Sequence, residues 1–339
     1  MREMGFPSHV VKLITKLYED QESAVRTSRG DTDWFQIGRG VRQGCILSPQ
    51  LFNIYAEQIM RDVLEEFKGG ITIGGHQISN LRYADDTTLI CNSRTELMEL
   101  IRSVKTASAE RGLLLNTKKT KIMVVNNTQN GADDVFSLDG DAIDLVESFE
   151  FLGSIINNRG DCSQEIKRRL AIARSTVQSM TKLWKSRLPA SLKVRLLRST
   201  AFAIASYGSE SWTMKLADKK RIDSFEMWCY RRILRISWTE RKTNTWVLEK
   251  LRAKKSLRAD IITRKLSYFG HITRHQCLQK TIMQGMVEGK RKRGRPPASW
   301  LDDIKLITGK TITDATRAAA DRRRWRFIIR TTPALIYTT

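Results

Sequence analysis

Two adjacent carboxylates, Asp85 and Asp86, stand between a run carrying Leu81 and Tyr83 and another carrying Thr87, Leu89 and Ile90. Such a pattern predicts two short strands with a pair of acids where the chain reverses. A hard divalent cation such as Mg²⁺ takes oxygen ligands, and two of them about 4 Å apart clamp the attacking and leaving oxygens of a phosphoryl transfer. Carboxylates on a hairpin tip suit that task. Tyr83-Ala84-Asp85-Asp86 alone is weak evidence, because adjacent acids in a turn are usually solvated, so the surrounding sequence has to decide.

Residues 5–19 read as an amphipathic helix, with Val10, Val11, Leu13, Ile14, Leu17 and Tyr18 as its apolar stripe. Ser23 to Ile37 reads as a hairpin turning at Gly30-Asp31. Ser48-Pro49 reads as an N-cap with proline at the first helical position, and the helix beyond is expected to bury Phe52, Tyr55, Ile59 and Val63. Gly69-Gly70 ends it, and Ile71 to Ile78 turns at Gly74-Gly75. A helix from about Thr95 to Arg111 stops at Gly112. Lys121 to Val125 and Phe149 to Ile155 read as strands, with tight turns at Asn130-Gly131 and Asp139-Gly140. From residue 161 the character changes. Ile166, Leu170, Ala173, Val177, Met180 and Trp184 mark one face of a long basic helix, a second helix starts near Ser191, and the remainder is mostly helical apart from Gly289 to Pro297.

The charge is as unevenly distributed as the structure. The 339 residues carry a net +23, yet residues 1–160 hold 18 Lys/Arg against 22 Asp/Glu, leaving +27 for residues 161–339. Seven of the eight Trp lie in that second part. Basic residues interleaved with aromatic rings favour nucleic acid, where cations meet phosphates and rings stack on bases. Cys45, Cys91, Cys162, Cys229 and Cys277 lack paired spacing, and no apolar run follows Met1, so a reduced intracellular setting is expected. Ser199 to Ser209 is too short to span a bilayer, and no membrane partner is expected.

Gly40-Val41-Arg42-Gln43-Gly44-Cys45-Ile46-Leu47-Ser48-Pro49 followed by Tyr83-Ala84-Asp85-Asp86 resembles the reverse transcriptases of non-LTR (LINE-type) retrotransposons, particularly the RTE-like endonuclease-reverse transcriptase group. The first run looks like that family's motif B, the second like motif C. Gly112 to Met123, with Asn116, Lys119, Thr120 and Lys121, looks like motif D, and Phe151-Leu152-Gly153-Ser154 looks like the primer-grip strand of motif E. Ser163 to Leu170, Tyr207 to Trp212, Phe269-Gly270-His271 and Gly294-Arg295-Pro296 match patterns of the thumb and tail. The likeness implies an α+β fold: a partial right-hand polymerase palm at 1–160, a helical thumb at 161–260 and a basic nucleic-acid-binding region at 261–339. It implies RNA-templated DNA synthesis with Mg²⁺ or Mn²⁺ on Asp85 and Asp86, and with an RNA template, a DNA primer and dNTPs as partners. Gly40, Arg42, Gln43, Gly44, Ser48 and Tyr83 would contact nucleotide or template. Phe151, Leu152 and Gly153 would grip the primer, and Lys119 or Lys121 would donate to the leaving pyrophosphate.

The family's motif A, with its own metal-binding aspartate, lies upstream of the helix at residues 5–19 and is not found in the 339 residues. The resemblance therefore implies an N-terminally truncated copy, without fingers or the apurinic-type endonuclease, and a weak polymerase on its own. A non-catalytic nucleic-acid-binding remnant and a degenerate reading frame without a role are the alternatives. Arg291, Lys292, Arg293 and Arg295 resemble an AT-hook core around Gly294; general phosphate contact is the blander reading, and such basic runs also serve as nuclear import signals, so a nuclear location is expected. Arg322-Arg323-Arg324-Trp325-Arg326 carries the same ambiguity. His271, His275 and Cys277 fit neither a zinc knuckle nor a finger, and no structural zinc is expected there.

Overall fold

The computed structural model describes residues 1–125, 136–253, 255–286 and 299–335. They form two compact units, one of Met1–Thr72 with His76–Asn116 and one of Ile73–Gly75 with Thr117–Thr339.

In the first unit, α1 (Ser8–Tyr18) follows the extended Pro7 and buries no residue fully; Leu13 is 68% exposed. Four short strands follow: β1 (Glu22–Ser23), β2 (Arg26–Thr27), β3 (Gly30–Asp31) and β4 (Phe35–Gln36). β1 pairs with β4 and β2 with β3, so the chain turns at Ser28-Arg29 and not at Gly30-Asp31. Asp31 is drawn into the ladder opposite Arg26, to which it is paired at 3.3 Å, and Thr27 accepts from the Arg29 amide at 3.2 Å. α2 (Ser48–Leu64) carries proline in its first turn, but Ser48 is no side-chain cap, because its Oγ donates to the Arg42 carbonyl at 2.5 Å. The helix buries Ile59, Met60 and Val63, while Phe52 is half-buried and Tyr55 exposed, contrary to the expected stripe. Tyr55 instead uses its polar tip, donating to the Arg111 carbonyl.

β5 (Ile71–Ile73), β6 (His76–Ile78), β7 (Asn80–Tyr83) and β8 (Asp86–Leu89) lead to α3 (Arg94–Glu110), which packs on α2 through Met98, Leu100 and Ile101. Ser93 caps α3 by accepting from the Glu96 amide at 3.2 Å. At its other end Gly112 turns left-handed (φ +76°), which lets the Leu113 amide reach back to Ser108 at 2.8 Å.

The second unit opens with β9 (Lys121–Ile122), β10 (Phe136–Leu138) and β11 (Asp141–Leu145), in the order β10-β11-β9. Asp139-Gly140 makes the predicted turn, and Asn130-Gly131 lies outside the described residues. Residues 149–155 are not one strand. They belong to a hairpin of β12 (Ser148–Phe151) and β13 (Ser154–Asn157), broken where Leu152 and Gly153 both take positive φ, +47° and +76°. An apolar run cannot by itself report a two-residue turn when only one of the turn residues is glycine.

Beyond it come α4 (Ser163–Ser179), α5 (Thr181–Lys185), α6 (Ala190–Leu197), a π-turn at Arg198–Phe202, α7 (Ala203–Ala205) and α8 (Leu216–Leu234). Next are α9 (Asn244–Leu251), α10 (Leu257–Arg274), α11 (Leu278–Gln284), α12 (Trp300–Thr308), α13 (Ile312–Ala320) and α14 (Arg322–Leu335). The predicted stripe of α4 is buried at Ile166, Ala173 and Val177, and Trp184 follows it into the core on α5 after the break at Met180. α10 runs through residues 260 and 261 and serves two cores. Leu257 and Ile261 join the cluster of α4 to α9, whereas Ile262, Leu266 and Phe269 join Ile304, Ala315, Ala318 and Trp325. The whole is α+β, as the sequence implies.

Candidate metal-binding hairpin and nucleic-acid interface

β7 and β8 pair antiparallel with Asn80 opposite Leu89 and Tyr83 opposite Asp86, which leaves Ala84-Asp85 as a two-residue turn. Ala84 takes φ +52°, the left-handed geometry that such tight hairpins demand. Tyr83, Asp85 and Asp86 are exposed at this tip. The hairpin is pinned from its side: Arg82 pairs with Glu57 of α2 at 2.8 Å and donates to Asn80 at 3.1 Å. Among the described residues no group of three or more His, Cys, Asp or Glu is placed to hold a metal ion. The tip thus offers two carboxylates. A hard cation there would complete its shell with water, a substrate phosphate or a further carboxylate.

Gly40 and Gly44 both have positive φ, +92° and +81°, and each has open space where a Cβ would stand. The loop between them is tied back onto the end of α1. Arg42 donates to the Leu17 carbonyl at 3.1 Å and lies 5.9 Å over the Tyr18 ring, and Ser48 closes onto the Arg42 carbonyl. Gln43 is left exposed at the bend. Since α2 begins at Ser48 and carries Glu57, a single helix fixes both this loop and the acidic hairpin.

Lys119, Lys121, Phe151, Leu152 and Gly153 belong to the second unit. Lys121 is ion-paired with Asp144, its register partner across β9 and β11, and Lys119 is exposed in the turn before β9. The Leu152-Gly153 turn is held by side chains that the sequence reading left without a role. Tyr207 donates to the Leu152 carbonyl at 2.9 Å; Arg168, at 3.0 Å, and Arg169 both donate to the Gly153 carbonyl. Arg169 also lies 4.3 Å over the Tyr207 ring, and the buried Glu165 accepts from Arg169 at 2.6 Å and from the Ile155 amide at 2.9 Å. The available signal was Glu165 followed by arginines three and four residues later, one helical face aimed at one turn.

The tryptophans correct the simplest form of the stacking argument. Trp184, Trp212 and Trp325 are core residues, and Trp184 and Trp325 donate their indole N–H to the backbone carbonyls of Val177 and Leu266 at 2.6 and 2.8 Å. Trp228 is half-buried with Arg174 and Arg232 over its ring at 4.9 and 5.4 Å. Tryptophans in this half were chosen largely for packing. Arg291, Lys292, Arg293 and Arg295 lie outside the described residues. His271 and His275 stand with ring centroids 4.5 Å apart at the end of α10. No helix among the described residues is long and apolar enough to cross a membrane.

Residues 1–156 match the family described as reverse transcriptase (RNA-dependent DNA polymerase). The chain is 28% identical over 274 residues to a transposon-derived protein of Caenorhabditis elegans, covering 76% of this chain and 97% of that one. It is 23% identical over 222 residues to the retrovirus-related Pol polyprotein from the type-1 retrotransposable element R2 of Popillia japonica, and 28% over 119 residues to that of Nasonia vitripennis. These matches cover 62% and 35% of this chain, but only 35% and 11% of the two polyproteins. A tight acidic hairpin within a matched segment of this length defines a reverse transcriptase region. Together with those relatives, the match supports a reverse transcriptase of the non-LTR retrotransposon kind.

Proposed function

We propose that the acidic hairpin is part of the nucleotidyl-transfer site of RNA-templated DNA synthesis, in which a primer 3′-hydroxyl attacks the α-phosphate of a dNTP and pyrophosphate leaves. The observation that carries this reading is the pair of exposed carboxylates, Asp85 and Asp86, at the tip of a two-residue hairpin tied to α2 through Arg82 and Glu57, inside the reverse transcriptase match. Divalent ions, Mg²⁺ or Mn²⁺, would be held by these two side chains and would supply charge stabilisation for the transferring phosphoryl group. Gly40 and Gly44 let the backbone of their loop approach a base pair closely, with Arg42 and Ser48 shaping the bend and Gln43 and Tyr83 facing nucleotide or template. Phe151, with the Leu152-Gly153 turn that follows it, would meet the primer, and Lys119 or Lys121 would donate to the leaving pyrophosphate. The basic residues of the second half, Arg291, Lys292, Arg293 and Arg295 included, hold the template and primer backbone.

A second reading, nucleic-acid binding without catalysis, is favoured by the presence of only two carboxylates at the tip among the described residues. Primer extension on an RNA template separates the two. The 339-residue chain is expected to extend poorly with Mg²⁺, and a protein lengthened upstream by a reverse transcriptase segment bearing a further metal-binding aspartate is expected to be faster by orders of magnitude. In the lengthened protein Asp85→Asn should lower synthesis at least about a thousandfold with the fold unchanged. Activity that survives Asp85→Asn would remove the hairpin from the reaction.

A further inference from the structure

Gly270 is the point from which a second feature can be built. A Cβ there would stand 2.3 Å from Nε1 of Trp325, so glycine is what lets α14 lie directly against α10. Trp325 seals that contact, buried to 2% and bonded to the Leu266 carbonyl. One turn beyond Gly270, Arg274 reaches across to the Ala319 carbonyl at 2.8 Å, and its Nε–H is buried with no acceptor among the described residues. Arg322 and Arg326 stand close enough that their charges act on its guanidinium; burial, followed by those two like charges, holds Arg274 below the usual arginine range.

No carboxylate among the described residues is ion-paired with Arg274, Arg322, Arg326 or Arg330. Asp321, the nearest acid in sequence, is committed to the backbone, where it accepts from the Arg323 and Arg324 amides at 2.7 and 3.3 Å. Asp314 pairs with Arg317 at 3.5 Å. Arg322, Arg326 and Arg330 recur every fourth residue of α14 and are all exposed, which lays one cation down about every 6 Å along the helix. Like charges gathered without counter-ions cost stability unless an anion neutralises them.

We propose that Arg274, Arg322, Arg326 and Arg330 form a phosphodiester-binding row, in which α14 lies along one nucleic-acid strand and Arg274 closes its end. The proposal rests on the nucleic-acid reading of the basic half and adds where that half holds the backbone. An extended row suits a repeating phosphate chain better than a lone phosphate, since a strand carries one charge about every 3.4 Å of axis. A membrane fits poorly, because Trp325, Ile328 and Ile329 of α14 pack into the core, and among its described side chains Phe327 is the one large apolar group left exposed. The contacts address phosphate and predict no preference among base sequences.

The test is a salt-resolved anisotropy titration of the full chain with labelled single-stranded RNA and with a mixed-sequence DNA duplex. The exposed triple variant R322Q/R326Q/R330Q touches no side-chain hydrogen bond among the described residues and should fold as the parent does. It is expected to flatten the slope of log K against log salt by about 2 to 3 and to weaken binding by about one to two powers of ten at moderate salt. R274K should keep the parent slope and R274Q should lose just under about one unit of it. A folded triple variant with the parent's affinity and slope overturns the row while leaving the wider reading intact. A parent chain that binds neither nucleic acid sinks the wider reading itself. Unchanged RNA affinity together with lost binding to polyglutamate or to vesicles of anionic lipid would assign the row to a different partner and overturn the proposal.

Discussion

The unit that carries the acidic hairpin and the one that carries the long helices are built to different standards of packing. In the first, α1 buries nothing fully, and Leu13, Trp34, Phe35 and Ile46 are 68, 71, 50 and 87% exposed. Its core is a thin seam between α2 and α3. In the second, two clusters enclose Trp184, Phe225, Tyr230, Phe269 and Trp325 almost completely. The first unit thus leaves large apolar side chains exposed, whereas the second gathers its rings into two enclosed cores.

The largest expected effect that sharpens this contrast is on stability. Trp325→Ala removes a fully buried ring and its hydrogen bond, and should cost about 3–5 kcal/mol in denaturant unfolding. Leu13→Ala, on the exposed face of α1, should stay within about 0.5 kcal/mol. Equal costs at the two positions would erase the contrast.

A smaller effect is tied to pH. Glu226 is buried on α8, accepts from the Tyr230 hydroxyl at 2.9 Å, and is pushed by burial from 4.5 up to about 7. A carboxyl raised in the fold binds its proton more tightly there than in the unfolded chain. It therefore adds stability below the ordinary glutamate range and loses that stability as pH climbs from about 4.5 to about 7. The loss across that window is expected to reach up to about 3 kcal/mol, and Glu226→Gln should flatten it. A pH profile that Glu226→Gln leaves unaltered would show that the group is not responsible.

The smallest effect concerns the brace of the hairpin. Arg82 and Glu57 are 28% and 37% exposed in their side chains, so Arg82→Ala should cost about 0.2–1 kcal/mol overall. Its signature is local: faster amide exchange at the β7–β8 ladder than in α3. Exchange unchanged at the ladder would mean that α2 does not hold the hairpin.

The parts of this molecule that were legible in the sequence are those written in a local code. Glycines at 112 and 140 announced a helix end and a turn, the acidic tetrapeptide announced its hairpin, and the three-four spacing from Ile166 to Trp184 announced a buried face. What stayed hidden was pairing between distant segments. Nothing near Leu152 says that Tyr207 and two arginines of α4 take its turn's carbonyls. Tryptophan misled for a related reason: its ring serves a core or a base equally well, and only tertiary packing tells Trp325 from an exposed ring. The same packing divides the run Arg322-Arg323-Arg324-Trp325-Arg326 into one buried ring and the exposed arginines around it.

The central claim, that Asp85 and Asp86 form a metal-holding tip, is tested most directly by Mn²⁺ titration of the isotope-labelled 339-residue chain observed by NMR. The account predicts paramagnetic broadening concentrated at the amides of Tyr83 to Thr87, competed by Mg²⁺, and abolished by Asp85→Asn with Asp86→Asn. Broadening spread evenly over exposed acids, or a focus at the tip that survives the double substitution, would contradict it.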